Sequence, residues 1–461
     1  MIAFFQNLFA PNTSAPRWLI ALVVLALAGA GYWYVQASLE HGNRTAERID
    51  KALTRECEMF YRSDKEAMEK AGRPLHAYDL NDQRVYMNYA KGLREFHYDM
   101  YITRMRMPAF MYVLSLATDA SMRQTDDASL ERFYLEFYPK ARAFNIGLSV
   151  VLLLAMFLML RRWLGNWFGV AFTLVAAFQL FILKASYVQP EVMQTALITV
   201  TVAWVMHALH VPTWKSALCA GVLLCLWHLT KANALVALGL MGVTWGVKLL
   251  FASAMRERTA IVVAGLTTLA AYVVPMSPYL YKSWQTFGDP FYNVQSKYYM
   301  WATDVDDKHG LQRMGLDRNL ATVDKNGDGK VDQPELLPSP GKYWREHSWK
   351  EIRDRLSRGT TNMFRAAYEE YTMLHLFQML WAGVVVWAVA RRWEQALAAW
   401  REWKWEILYV AALLYVFVYL FGWFTPLRVG PRLLNSISLM PIFCCMAATR
   451  ALLHGDVIRV R

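Results

Sequence analysis

Charged side chains that lie next to long apolar runs are the residues of this sequence whose types and positions could do chemistry. The candidates are two acids and four basic residues: Asp82, Glu191, Arg106, Lys231, Lys282 and Arg432. An ionisable group at the edge of a membrane is costly, so such groups tend to have a function. Carboxylates can accept protons and cations can stabilise phosphate. Proton transfer beside a bound phosphate is therefore chemistry that this set could perform.

Each of these residues also has a plain structural interpretation. Asp82 suits the cap of the helix that follows it. Glu191 follows a proline, and a proline with an acid in the first turn is ordinary at a helix start. Lys231, Lys282 and Arg432 could be long side chains that reach from an apolar run to water. The functional interpretation therefore depends on the residues acting together.

A twelve-residue acidic stretch, DKNGDGKVDQPE at 324–335, has the ligand spacing of an EF-hand-type calcium loop. The ligands in order would be Asp324, Asn326, Asp328, the carbonyl of Lys330, Asp332 and the bidentate Glu335. Prolines at 334, 338 and 340 interrupt the helix that should follow, which favours an isolated structural loop over a paired sensor. We predict calcium as a cofactor that orders the surrounding segment.

The composition is typical of a membrane protein. Of 461 residues, 56% are hydrophobic and 19% are charged. The net charge of +12 fits cytoplasmic loops rich in Lys and Arg, so nucleic acid is not a predicted partner, whereas membrane lipids are. Four of the five cysteines lie in apolar runs, which excludes a disulfide framework.

Ten runs approach the roughly 20 residues that cross about 30 Å of hydrocarbon: 18–36, 144–160, 166–183, 192–210, 214–230, 232–251, 259–279, 373–390, 405–424 and 433–452.

The distribution of basic residues predicts the orientation. With both termini (1–17 and the end of 373–461) in the cytoplasm, every short inner loop is basic. Two long segments, 37–143 and 282–372, are then external, and 144–281 holds the second to seventh spans. In the first external segment Val85, Tyr86, Tyr89 and Leu93 recur at helical spacing and predict a surface helix.

Six short stretches, in order along most of the chain, combine aromatic and apolar residues with acids or cations at membrane edges. They are NDQRVYMNYAKGL (81–93), ITRMRMPAFMYVLSL (102–116), SYVQPEVMQTAL (186–197), GVLLCLWHLTKANALVALGL (221–240), PYLYKSWQTFGDPFYNV (278–294) and GPRLLNSISLMPIF (430–443). Together they resemble the GT-C glycosyltransferases, the group that includes protein O-mannosyltransferases and the aminoarabinose transferase of lipid A. The resemblance implies an all-α polytopic fold with about ten transmembrane helices and two long external segments.

The sequence departs from that family at three places. Asp82-Gln83 stands where many members carry two adjacent acids, Lys282-Ser283 where they carry Arg-Asn, and Arg432-Leu433 where they carry Arg-Tyr. Asp79 and Asp99 are therefore competing candidates for the acid that acts as base.

The resemblance implies transfer of a sugar from a polyprenyl-phosphate donor to an acceptor on the periplasmic face of a bacterial inner membrane. Asp82 would take the proton of the attacking hydroxyl, and Lys231, Arg432, Arg106 and Lys282 would bind the departing phosphate. Three roles are open to Glu191: positioning a cation, a divalent metal ion or the acceptor. The acceptor is a protein, lipid A, a glycan or another wall polymer.

Three other functions fit the same composition. A polysaccharide ligase or polymerase would use diphosphate-linked oligosaccharides. A lipid-sugar transporter would carry ionisable groups near the middle of the membrane, which this sequence has few of. A calcium-binding scaffold without catalytic activity would keep its function after loss of every outer carboxylate.

Overall fold

The computed structural model describes residues 17–52, 82–95, 98, 106–118, 127–304, 308, 311, 337–427 and 432–454. Within these ranges the chain is helical and contains no strand. The helices are α1 Arg17–Ala52, α2 Gln83–Glu95, α3 Ala109–Ser115, α4 Asp127–Ala176, α5 Glu191–His210, α6 Trp214–Thr230, α7 Ala234–Phe251, α8 Met255–Phe287, α9 Val294–Lys297, α10 Pro340–Glu346, α11 Trp349–Glu370, α12 Thr372–Arg391, α13 Trp393–Phe424, α14 Arg432–Asn435 and α15 Leu439–His454. A π-helical turn, Ala177–Phe181, and a last turn, Ile182–Lys184, continue α4.

Seven helical segments in the described part of the chain are long and apolar enough to cross a membrane. They are Ala21–Arg44, Arg132–Lys184, Glu191–His210, Ala234–Phe251, Met255–Phe287, Thr372–Arg391 and Trp393–Leu427. Two shorter apolar helices, Trp214–Thr230 and Leu439–Leu453, accompany them. These segments make the chain an all-α polytopic membrane protein.

One of the seven segments is long enough for two crossings. Arg132–Lys184 has 53 residues, which at 1.5 Å per residue is about 80 Å, far more than the hydrocarbon thickness. Gly165 breaks its helical geometry with φ 67° and ψ −179°, a conformation that is readily accessible only to glycine. The break falls between the predicted spans 144–160 and 166–183. With two crossings here and the two shorter helices included, the segments can accommodate ten spans, and that number stays a prediction.

The chain divides into two compact units. The first contains Met1–Asp99, Phe110–Ala196 and Val460–Arg461, and the second contains Met100–Ala109 and Leu197–Arg459. The core of the first unit joins α2, α3 and α4 to the segment before α5. Its buried residues are Tyr86, Met87, Ala90, Leu93, Phe110, Met111, Leu114, Phe133, Tyr134, Phe137, Ala141 and Val188.

The buried face of α2 differs from the predicted one. Tyr86 and Leu93 are buried as expected, but Val85 is 37% exposed and Tyr89 is half-buried. Met87 is fully buried instead. The reason is that α2 packs against α3 and α4, and Met87 and Ala90 lie in this shared core together with Tyr86 and Leu93. Helix α2, which was predicted as a surface helix, therefore packs against other helices of the protein.

In the second unit, helices α6 and α8 pack closely against each other. A Cβ at Gly221 in α6 would lie 2.5 Å from the Thr268 carbonyl oxygen and 2.6 Å from the Ala271 Cβ in α8. The Thr268 hydroxyl donates to the Ala217 carbonyl at 3.1 Å. Because the side chain at 221 is only a hydrogen atom, α6 and α8 approach closely enough for this bond.

Helix α11 is fastened to the end of α13. A Cβ at Gly359 would clash with the Gly422 carbonyl oxygen, so the two backbones are in direct contact. Arg355 is 7% exposed and donates to the carbonyls of Ala302 at 2.9 Å and Trp423 at 3.1 Å. Its guanidinium also lies over the Trp423 ring, 4.4 Å from the centroid. This buried cation therefore ties the segment that is predicted to be external, 282–372, to a candidate span.

Candidate functional site

Asp82 lies at the start of α2 in a left-handed backbone conformation. Its φ is 68°, which is uncommon outside glycine and best tolerated by Asp and Asn. Its carbonyl accepts the Tyr86 N–H at 3.1 Å, so the first helical hydrogen bond begins at this residue. An ordinary N-cap has extended backbone. Unusual conformations of this kind cluster at functional sites, which supports Asp82 as a candidate acid.

Glu191 is buried in the first turn of α5. It is 8% exposed, although it begins an apolar helix. The Thr195 hydroxyl donates to the Glu191 carbonyl at 2.9 Å, which fixes this turn. An acid whose only role was to stabilise the start of a helix could remain in water. The burial of Glu191 is therefore more than that role requires.

One hydrogen bond links the two segments that carry the predicted acids. The Val188 N–H donates to the Gln83 side-chain oxygen at 2.9 Å, and both residues are buried. Gln83 directly follows Asp82, and Val188 lies three positions before Glu191. The start of α2 and the segment before α5 are therefore held together within the first unit. This role of Gln83 was not predicted from the sequence, where the signal was a polar residue beside the candidate acid.

Asn145 of α4 holds the same segment from another side. Its side-chain amide donates to the carbonyls of Ala185 at 3.0 Å and Tyr187 at 2.6 Å, and Asn145 is 1% exposed. The backbone leading into α5 thus depends on a side chain that lies in an apolar stretch of the sequence. We assign Asn145 as a positioning residue.

Replacing Asn145 with leucine is expected to destabilise the protein by about 1–3 kcal/mol, because a buried carbonyl would lose its donor. Amide hydrogen exchange of residues 185–190 should accelerate in the same variant. Calorimetry and exchange mass spectrometry measure the two effects. The control is Asn362→Leu at an exposed position of α11, expected to stay within about 0.5 kcal/mol. Unchanged exchange at 185–190 in Asn145→Leu would contradict the positioning role.

The predicted cations lie in the second unit, and a contact joins the chain segments of two of them. Arg106 precedes Met107, whose sulfur accepts the Tyr279 hydroxyl at 3.5 Å. Tyr279 lies one helical turn before Lys282 in α8. The structure therefore brings the segments of Arg106 and Lys282 together, although they are far apart in the sequence.

Lys231 and Arg432 each lie at a helix end. Lys231 is half-buried and terminates α6 in an extended conformation, and its N–H donates to the Trp227 carbonyl at 2.8 Å. Arg432 is the first residue of α14. The neighbouring residues Ala232 and Leu434 belong to the same apolar core as Met107.

The predicted calcium loop at 324–335 lies outside the described residues, as do the competing acids Asp79 and Asp99. Among the residues that the structure does describe, no group of three or more His, Cys, Asp or Glu side chains is arranged to hold a metal ion. Calcium binding therefore stays a prediction from the ligand spacing.

The second unit contains a buried ion pair that was not predicted from the sequence. Lys248 Nζ lies 3.4 Å from Glu406 Oε1, with the two side chains 12% and 1% exposed. Lys248 also donates to the Leu209 carbonyl. His210 Nδ1 lies 3.9 Å from Glu406 Oε1, and the His210 ring stacks on Trp403 at 3.7 Å. Lys248 lies in the last turn of the apolar helix α7, and its side chain contacts α5 and α13.

The fold and the site together define a polytopic all-α membrane protein with a buried acid, Glu191, at the start of an apolar helix. No family model, no curated protein and no solved structure matches this chain.

Proposed function

We propose that this chain is a GT-C-like glycosyltransferase of the bacterial inner membrane. It moves a sugar from a polyprenyl-phosphate donor to an acceptor on the periplasmic face. The acceptor hydroxyl attacks the anomeric carbon, the bond from that carbon to the phosphate oxygen breaks, and the polyprenyl phosphate leaves with the bonding electrons. Asp82 takes the hydroxyl proton.

The observation that carries the proposal is the connection between the two acid segments in the first unit. The Gln83–Val188 hydrogen bond joins the start of α2 to the segment before Glu191. Asp82 has the unusual backbone conformation and Glu191 is buried. A segment that begins with one acid and is held against a second segment leading into a buried acid fits general-base chemistry on a bound acceptor. Glu191 would position the acceptor, or a cation that binds it.

The cations support the donor half of the reaction. A leaving phosphate gathers negative charge, and fixed cations in a poorly solvated site stabilise it more strongly than they would in water. Arg106 and Lys282 come from contacting segments of the second unit, and Lys231 ends an apolar helix where long cations reach a lipid interface. A calcium loop at 324–335 would order the second external segment without entering the reaction.

The experiment uses the full chain in lipid nanodiscs with labelled lipid-linked sugars. Sugars on polyprenyl monophosphate and oligosaccharides on polyprenyl diphosphate are compared, with a periplasmic extract, lipid A and cell-wall fragments as acceptors. We expect transfer from a monophosphate donor. Transfer from diphosphates alone would indicate a ligase or polymerase. In liposomes, movement of intact donor across the bilayer would indicate a transporter. If neither transfer nor transport is detected, the scaffold is the remaining function.

Two lysines on α6 provide a test residue and a matched control for this experiment. Lys231→Ala should weaken use of the monophosphate donor, and Lys231→Arg should keep part of it, since charge is what the phosphate requires. Lys215 lies at the opposite end of the same helix and is exposed, so Lys215→Ala should leave donor use unchanged. Equal donor use in both alanine variants would remove Lys231 from the phosphate site.

A further inference from the structure

Two buried carboxamide side chains flank Glu191 in the first unit. Gln189 is 6% exposed and Gln194 is fully buried. The Nε2 of Gln189 and both the Nε2 and Oε1 of Gln194 have no hydrogen-bond partner in the described part of the chain. Buried amides in native proteins nearly always have partners, so these atoms need an explanation.

The backbone holds both amides close to Glu191. The Gln194 N–H donates to the Pro190 carbonyl at 2.7 Å, so 190–194 is one helical turn. Glu191 and Gln194 are three residues apart and share a face of α5. Gln189 precedes this turn, in the segment that Asn145 and Gln83 fasten. The unpartnered amides therefore lie on a rigid part of the unit.

The chemistry of the amide selects the class of ligand. A carboxamide offers two N–H donors and a carbonyl acceptor, and at Gln194 both ends lack a partner. A metal ion would bind the oxygen and leave the NH₂ group unsatisfied. A hydroxyl both donates and accepts, so neighbouring hydroxyls on one ring can pair with both ends of an amide.

We propose that Gln189 and Gln194, together with Glu191, form a pocket that binds sugar hydroxyl groups. This inference rests on the proposed function and assigns the sugar-recognition residues of that reaction. A site built to hydrogen-bond a hydroxyl strongly rejects the analogue that lacks it, because the buried protein groups are then left without partners. Gln194 would therefore discriminate between a sugar and its deoxy analogue.

The test is thermal melting of the full chain in nanodiscs. Gln194→Leu keeps the side-chain volume and removes the unpartnered amide, so the ligand-free variant should melt higher than the parent. The control is Gln378→Leu in α12, whose amide donates to the Ser438 carbonyl at 2.6 Å. This variant should melt lower, because it loses a bond that exists. A lower melting temperature for Gln194→Leu would show that the amide has a structural partner and would overturn the pocket.

The second arm separates the sugar from the lipid phosphate. Polyprenyl phosphate is added with and without mannose, glucose, galactose or arabinose attached. For the parent, at least one sugar should raise the melting temperature beyond the bare lipid, and Gln194→Leu should lose that extra shift and keep the lipid shift. If the parent responds equally to bare and sugar-bearing lipid, or if the variant retains the sugar-dependent shift, the sugar pocket is wrong while the donor class stands. If neither lipid shifts the parent, the proposed function fails with it.

Discussion

Replacing Asp82 with asparagine is expected to lower the rate of sugar transfer by about 10²–10⁴, the usual contribution of a general base. The amide cannot accept the hydroxyl proton at neutral pH, whereas the shape of the side chain is kept. The measurement is the turnover of the purified variant with saturating donor, beside binding of the donor. Donor binding should be nearly unchanged.

The structure explains why this variant should fold. Asp82 has φ 68°, and asparagine tolerates that region as well as aspartate does. The first hydrogen bond of α2 uses the backbone carbonyl of Asp82, which the substitution does not alter. The control is Asp354→Asn in α11, a partly exposed acid outside the proposed site. If Asp82→Asn turns over at a near-normal rate, the base is another acid, and Glu191, Asp79 and Asp99 become the candidates.

Removing one member of the Lys248–Glu406 pair is expected to destabilise the protein by about 3–5 kcal/mol. Glu406 is 1% exposed and Lys248 is 12% exposed, so either residue alone would be an uncompensated charge in a poorly solvated place. Glu406→Leu and Lys248→Met should each show the loss. The double variant should recover most of it, because an apolar pair of similar volume avoids desolvation of both charges. Unfolding in mixed detergent measures the free energies.

An exposed ion pair provides the control for this cycle. Lys297 Nζ lies 3.6 Å from Asp289 Oδ2, with the side chains 41% and 38% exposed. Asp289→Asn should cost less than about 1 kcal/mol, because solvent screens such a pair. If the losses of the two single variants simply add in the double variant, the two charges are not coupled.

Much of the fold was predictable because membrane spans follow from the sequence itself. Continuous apolar runs predict helices without knowledge of their partners, since lipid leaves the backbone no other donors or acceptors. The helices confirm the all-α fold, and the conformation of Gly165 accounts for the break between two predicted spans. The face of α2 was less predictable. Val85 and Met87 are both apolar, and only the positions of α3 and α4 decide which of them is buried.

The sequence by itself determined the class of protein, the candidate acids and cations, and the ligand spacing of a calcium loop. These depend on composition and on spacing along the chain. The tertiary structure decided which polar side chains form hydrogen bonds or ion pairs with each other. Gln83 and Val188 are 105 positions apart, and Lys248 and Glu406 are 158 apart. No local pattern records such pairs, because a side-chain hydrogen bond or ion pair depends on distance in space. In the same way, only the folded chain shows that the Gln194 amide is buried without a partner.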